Sequence, residues 1–109
     1  MKTVILNPEE YKLLCKCANF AAYIFDSLIS IHIDLAKTTQ KYLALNMFLH
    51  ELNPVSFLDG DVGFPIDDEY FETSVDVIQL TISHMSWSKY RAVIQSLYKL
   101  KNKLKKEGK

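Results

Sequence analysis

Arginine is nearly missing from this chain of 109 residues: Arg91 is the only one, and the remaining basic charge is carried by twelve lysines. Base edges are read best by the forked guanidinium group, so this shortage weighs against a side-chain reader of DNA sequence. Glycine and proline are scarce as well, three of each, which fits helices joined by short turns better than an all-β domain with a breaker at every corner. Cysteine is limited to Cys15 and Cys17. Two positions apart on a helix they point about 200° away from each other, so they neither close an ordinary disulfide nor chelate one ion together. They are expected to behave as two small hydrophobes in a reducing compartment. No secretory leader is expected, because the run from Met1 to Leu6 stops at Asn7-Pro8 before an apolar core region develops. The most apolar stretch, residues 18 to 36, is interrupted by Asp26, His32 and Asp34. Each ionisable group at bilayer depth costs about 2.5 to 3.5 kcal/mol, so a cytoplasmic protein without a membrane span is expected.

One further absence is regional. Between Tyr42 and Ser88 there is neither Lys nor Arg, while eight acids fall there: Glu51, Asp59, Asp61, Asp67, Asp68, Glu69, Glu72 and Asp76. From Lys89 to Lys109 the balance reverses, with eight bases against Glu107 alone. The formal net charge of zero therefore hides a chain with an acidic middle and a basic end, which bears on partners rather than on fold.

What is present begins with Asn7 to Lys37, which has no Gly or Pro after Pro8. Asn7 is a good N-cap, Pro8 suits the first helical position, and Glu9 and Glu10 place negative charge where the helix dipole favours it. Tyr11, Leu14, Ala18, Ala21, Phe25, Leu28 and Leu35 then recur on one helical face, while Phe20, Ile24, Ile29, Ile31 and Ile33 lie off it. Such a helix needs neighbours on several sides. Residues 29 to 35 also alternate strictly between apolar and polar, which is a strand template. One helix from Asn7 to Asn53 would be about 70 Å long, so a bend is expected between Asp34 and Gln40. A second helix with Tyr42, Leu43, Leu45, Met47, Phe48, Leu49 and Leu52 ends at Asn53-Pro54. Residues 53 to 66 form the one long linker, whose Val55, Phe57, Leu58, Val62, Phe64 and Ile66 either cap the bundle or form an exposed apolar surface. Asp67 or Asp68 starts a third helix on Phe71, Val75, Ile78, Ile82 and Met85. Ser86 caps a fourth, in which Trp87, Tyr90, Ile94, Leu97 and Leu104 line one side. No internal repeat is read from the sequence.

These elements predict an all-α, four-helix bundle-like single domain over 1–109, with a long central N-terminal helix and helices near 8–36, 38–52, 67–85 and 87–106. The residues beyond 99 form a basic, partly frayed tail. A small α+β arrangement with strands near 2–6 and 29–35 is the alternative. In the bundle, Val4 or Leu6 staples an extended lead-in onto the first helix. In the other reading residues 2–6 are an edge for a partner or a second copy.

Catalytic constellations are not recognisable. His32, His50 and His84 fall in three different elements without chelating spacing. Asp59-Gly60-Asp61 opens like a calcium loop but meets Phe64 where Gly is needed and Tyr70 where a bidentate Glu is needed. No enzyme, metal site or cofactor is expected. The first functional expectation is a module that binds and inhibits or regulates a protein partner through Phe57, Asp59, Asp61, Phe64, Asp67, Asp68, Glu69 and Glu72. Their carboxylates would imitate a nucleic-acid backbone, as inhibitors carried by phages and other mobile elements often do. The alternative is a nucleic-acid-binding accessory protein using Lys99, Lys101, Lys103, Lys105 and Lys106. In size and in this basic C-terminal helix the chain is similar to small helical bacteriocin-immunity proteins, which implies a third role of that kind. A homodimer is also expected, because the apolar coverage of the first two helices exceeds what one small bundle hides.

Overall fold

The computed structural model describes residues 2–28, 36–52 and 62–107. Its elements are a strand β1 (Lys2–Leu6), helices α1 (Pro8–Leu28) and α2 (Ala36–Leu52), a second strand β2 (Val62–Ile66), and helices α3 (Asp68–Ser83) and α4 (Trp87–Glu107). The mostly helical domain with four helices is thus as expected. Residues 62–66, however, are not linker. They form a strand that pairs antiparallel with β1 inside the chain. The expected extension of the first helix through 29–35, and the strand alternative for the same segment, lie outside the described residues.

Helices α1 and α3 each start for a local reason. Asn7 and Glu10 form a reciprocal capping box, with Glu10 N–H donating to Asn7 Oδ1 at 2.8 Å and Asn7 N–H donating to Glu10 Oε1 at 2.9 Å. Asp67 does the same work for α3 by accepting from the Tyr70 N–H at 2.8 Å. Because each cap follows its strand directly, alternation in the strand decides which side of the helix meets the core. Val4, Leu6, Phe64 and Ile66 all point inward and are buried, whereas Thr3, Ile5, Gly63 and Pro65 face out.

The two halves repeat one strand-helix-helix order with a shared burial pattern, an internal relation that the residue identities do not carry. A shift of 60 residues carries Val4 to Phe64, Leu6 to Ile66, Asn7 to Asp67 and Tyr11 to Phe71. Over 7–22 and 67–82 the order of buried, half-buried and exposed positions is the same except at Pro8/Asp68 and Leu13/Thr73. In the second helices the buried stripe Thr39, Tyr42, Leu45, Leu49 matches Ile94, Leu97, Leu100, Leu104 at a shift of 55. The ladder obeys the same rule: the shift converts the pair Leu6↔Val62 into Ile66↔Lys2, and Val4 pairs with its own counterpart Phe64. A local two-fold relation therefore passes between Val4 and Phe64.

The core lies beneath the ribbon. Tyr11 contacts Phe64 edge-on at 6.4 Å, Phe48 contacts the same ring at 6.2 Å, and the Tyr11 hydroxyl donates to the Leu49 carbonyl. α3 buries more of its circumference than its apolar spacing suggests, since Thr73, Ser74 and Thr81 are buried too. Their hydroxyls donate to the carbonyls of Glu69, Tyr70 and Val77, so no polar group there is left without a partner. Two expectations for side chains fail. Met47 on α2 is 63% exposed, so that helix buries a single stripe. Trp87 and Tyr90 are 49% and 39% exposed, because Tyr90 leaves helical geometry (φ −123°, ψ 32°) and sets the first turn of α4 apart from the stripe that follows.

Replacing Phe64 by Ala removes the side chain that packs on both Tyr11 and Phe48, and should lower unfolding free energy by about 3–5 kcal/mol in chemical denaturation. Gly63→Ala, one residue away, should change it by less than about 0.5 kcal/mol, since the added Cβ would lie 3.7 Å from Ile5 Cγ1, an ordinary contact.

Candidate binding site

The local two-fold relation lets each contact in one half be compared with its counterpart in the other. Where α2 meets α3, Phe48 lies against Tyr70 with ring centroids 5.2 Å apart. The counterparts are Lys103 and Glu10, and these form an ion pair at 2.7 Å where α4 meets α1. The seam between α2 and α3 is thus aromatic where its counterpart between α4 and α1 is ionic.

A second comparison exposes the site. Phe25 and Tyr42 pack edge-on at 4.9 Å in the first half, and their counterparts are Met85 and Leu97. Leu97 is fully buried, whereas Met85 lines an open groove of about 420 Å³ with Leu13, Phe20 and Val93, bordered by Lys16 and Tyr90. Trp87 stacks on Tyr98 at 6.0 Å on the same helix, and both remain largely in solvent. Lys89 stands 5.4 Å from the Tyr90 ring and Lys101 5.8 Å from the Tyr98 ring. From Trp87 to Lys106, α4 carries no acid. The groove therefore has an apolar floor with Tyr90 and Lys16 at its border.

The acidic set expected from the sequence is not brought together with its aromatics. Phe64 is 2% exposed and belongs to the core, which removes it from any partner surface. Phe57, Asp59 and Asp61 lie outside the described residues. Asp67 is occupied as the α3 cap, and Asp68 stands 4.0 Å from Lys2. Glu69 borders a separate open groove of about 470 Å³ that also contains Lys37 and Lys41. Glu72 is exposed and crowds Asp76, whose carboxyl is held above the usual range by burial first and by Glu72 second, with Lys41 opposing. Of the lysines proposed for nucleic acid, Lys103 is paired with Glu10 and Lys101 donates to Gln79 Oε1 at 2.5 Å. Lys99, Lys105 and Lys106 are exposed.

The ribbon offers shape without chemistry. Two antiparallel strands are of a size that a DNA major groove admits, but the outward positions Thr3, Ile5, Gly63 and Pro65 supply one hydroxyl and no base. Glu9, Asp67, Asp68 and Glu69 flank them. The cysteines offer little reactivity, because burial pushes the Cys17 thiol up to about 11 and also raises Cys15. Burial likewise raises the Tyr11 and Tyr42 hydroxyls, with Cys15 and Asp76 adding to the effect. Among the described residues no group of three His, Cys, Asp or Glu is placed to hold a metal ion, and no helix is long and apolar enough to cross a membrane. Compared with protein-family models, with curated proteins and with solved structures, the chain matches none of them.

The groove was not legible in the sequence, because Met85 reads as an ordinary core position; Leu97 is the core residue its spacing predicts. The Asp76 shift has a measurable consequence. A carboxyl whose pKa is raised on folding destabilises the native state above that pKa, since the folded form holds its proton more tightly than the unfolded form. Asp76→Asn should therefore raise the melting temperature at pH 7, and the gain should vanish as pH falls below the ordinary aspartate range. Thermal scans of both proteins from pH 3 to 8 decide it.

Proposed function

We propose that this chain is a non-enzymatic module that binds and regulates a protein partner through the groove between α1 and α4 and the aromatic face beside it. The observation that supports this reading is the exposure of Trp87, Tyr90, Val93 and Tyr98 along α4, of which Tyr90 and Val93 line the apolar groove. Large aromatics at the centre of a desolvated patch are the side chains on which protein interfaces most depend. The seven bases of α4 favour a partner whose surface is acidic around an apolar centre.

Once a partner is identified by capture on the full chain, its affinity for variants is the test. Trp87→Ala and Tyr90→Ala should each weaken binding by about ten-fold or more, with melting temperatures unchanged. Charge reversal at Asp68, Glu69 and Glu72 should leave affinity within about two-fold. The opposite pattern would return the interface to the acidic end of α3, and with it the reading of a nucleic-acid mimic.

A second reading is favoured by one observation, the alternation of exposed rings with bases along α4. Base–aromatic stacking on a cationic surface is how single strands are held without sequence preference. Trp87 is the only tryptophan, so its fluorescence reports the contact directly. Titration with single-stranded oligonucleotides at 50 and 200 mM salt should show strong, salt-sensitive quenching under this reading, and none at either salt if the face is reserved for protein.

A further inference from the structure

We infer that the outward face of α2 is a self-association surface, on which a second copy of this chain lays its own α2 antiparallel. The inference goes beyond the protein-binding reading above and uses a different face of the molecule.

α2 is apolar on two sides. Its buried stripe, Thr39, Tyr42, Leu45 and Leu49, faces the core, while Leu43 and Met47 on the far side are 42% and 63% exposed. Those two belong to a longer series, because Ala36, Gln40, Leu43, Met47 and His50 recur at steps of four, three, four and three. This is the spacing with which one helix meets another along a seam. Gln40, Leu43, Met47 and His50 are all exposed, so the monomer leaves the seam uncovered. The shift of 55 puts Arg91, Gln95, Tyr98, Asn102 and Lys105 at the corresponding positions of α4, a series with one ring and two bases. An apolar outer seam is thus particular to α2.

Charge selects the occupant. Lys37, Ala44 and Glu51 run beside the seam at steps of seven, and residues flanking such a seam set the partner and its direction. Lys37 and Glu51 are exposed, and neither side chain has an ion pair or hydrogen bond among the described residues. An antiparallel second α2 lays Leu43 against Met47 of the other copy and Gln40 against its His50. Each Lys37 then meets the other copy's Glu51, with the small Ala44 between the two ion pairs. A parallel arrangement would set lysine against lysine and acid against acid. The α4 face has no such self-complementarity, because two copies would crowd its seven bases together. With 17 residues, α2 offers a seam of about 25 Å. That length suits a reversible pair rather than a permanent one.

Sedimentation equilibrium of the intact chain tests the inference. The mass should rise from 12.6 kDa toward twice that value between about 1 μM and 1 mM chain, and the melting temperature should rise over the same range. Met47→Lys should weaken association by about ten-fold or more and leave the melting temperature of the dilute chain unchanged, since the side chain is exposed. Leu43→Lys is a second variant on the same seam. Glu51→Lys and Lys37→Glu should each weaken association about five-fold, because two symmetry-related ion pairs are lost, and the double variant should restore it. A mass fixed at 12.6 kDa up to about 1 mM would overturn the inference. So would dimers that survive both lysine substitutions on the seam, or that dissolve on Trp87→Ala instead. Charge reversals without effect, or a double variant without rescue, would remove the antiparallel pairing and the inference with it.

Discussion

The constraint on which the molecule depends is the pairing of Val4 with Phe64 across the middle of a two-stranded ribbon. A two-stranded ribbon alone is marginal in water, and here each strand has five residues. It persists because its inward side chains, Val4, Leu6, Phe64 and Ile66, all enter the core formed by the helices. The caps at Asn7 and Asp67 tie each strand rigidly to the helix that follows. Ladder register, helix placement and the two-fold relation between halves are therefore a single geometric decision. A slip of one residue would turn four core side chains outward together.

The two halves share an order of elements and a burial pattern, and they differ in how their helices are joined. Rings join α2 to α3 through Phe48 and Tyr70, and α1 to α2 through Phe25 and Tyr42. Between α4 and α1 an ion pair stands in the place of the first contact. The ionic seam is half exposed, and such a pair contributes on the order of 1 kcal/mol at most. The ring contact it stands in for is less sensitive to salt. α4, which carries the exposed aromatic face, is thus the helix joined across the ionic seam.

What could be read in advance was whatever is encoded locally. Asn7-Pro8-Glu9-Glu10 announces a helix start because cap chemistry is settled within four residues, and the structure forms the full box. The stripes Tyr11-Leu14-Ala18 and Ile94-Leu97-Leu104 were visible for the same reason. Strand β2 was not, because Val62 to Ile66 contains a glycine and a proline and becomes a strand only through a partner some 60 residues earlier. The repeat was hidden since the aligned stretches 7–22 and 67–82 share little beyond Glu9 and Glu69. What they share is burial, a property of the fold. Periodicity also cannot distinguish a stripe that is covered from one that is not, so Trp87 and Tyr90 read as core. Thr73, Ser74 and Thr81 failed in the opposite direction, since their polarity is absorbed by carbonyls one turn back.

The ribbon joins the first strand to one that is made much later. During synthesis β1 has left the ribosome while its partner is still untranslated, and the gap from Leu6 to Ile66 corresponds to about 3–12 s at ordinary elongation rates. Throughout that interval Val4 and Leu6 have no β2 to lie against, and the nascent first half presents an open strand edge beside half of a core. Two such chains on one message could pair their β1 strands with each other, since Val4 sits on the two-fold and the unit is built to meet its own copy. The order of the strands along the chain thus fixes how long the first one waits, uncovered, for the second.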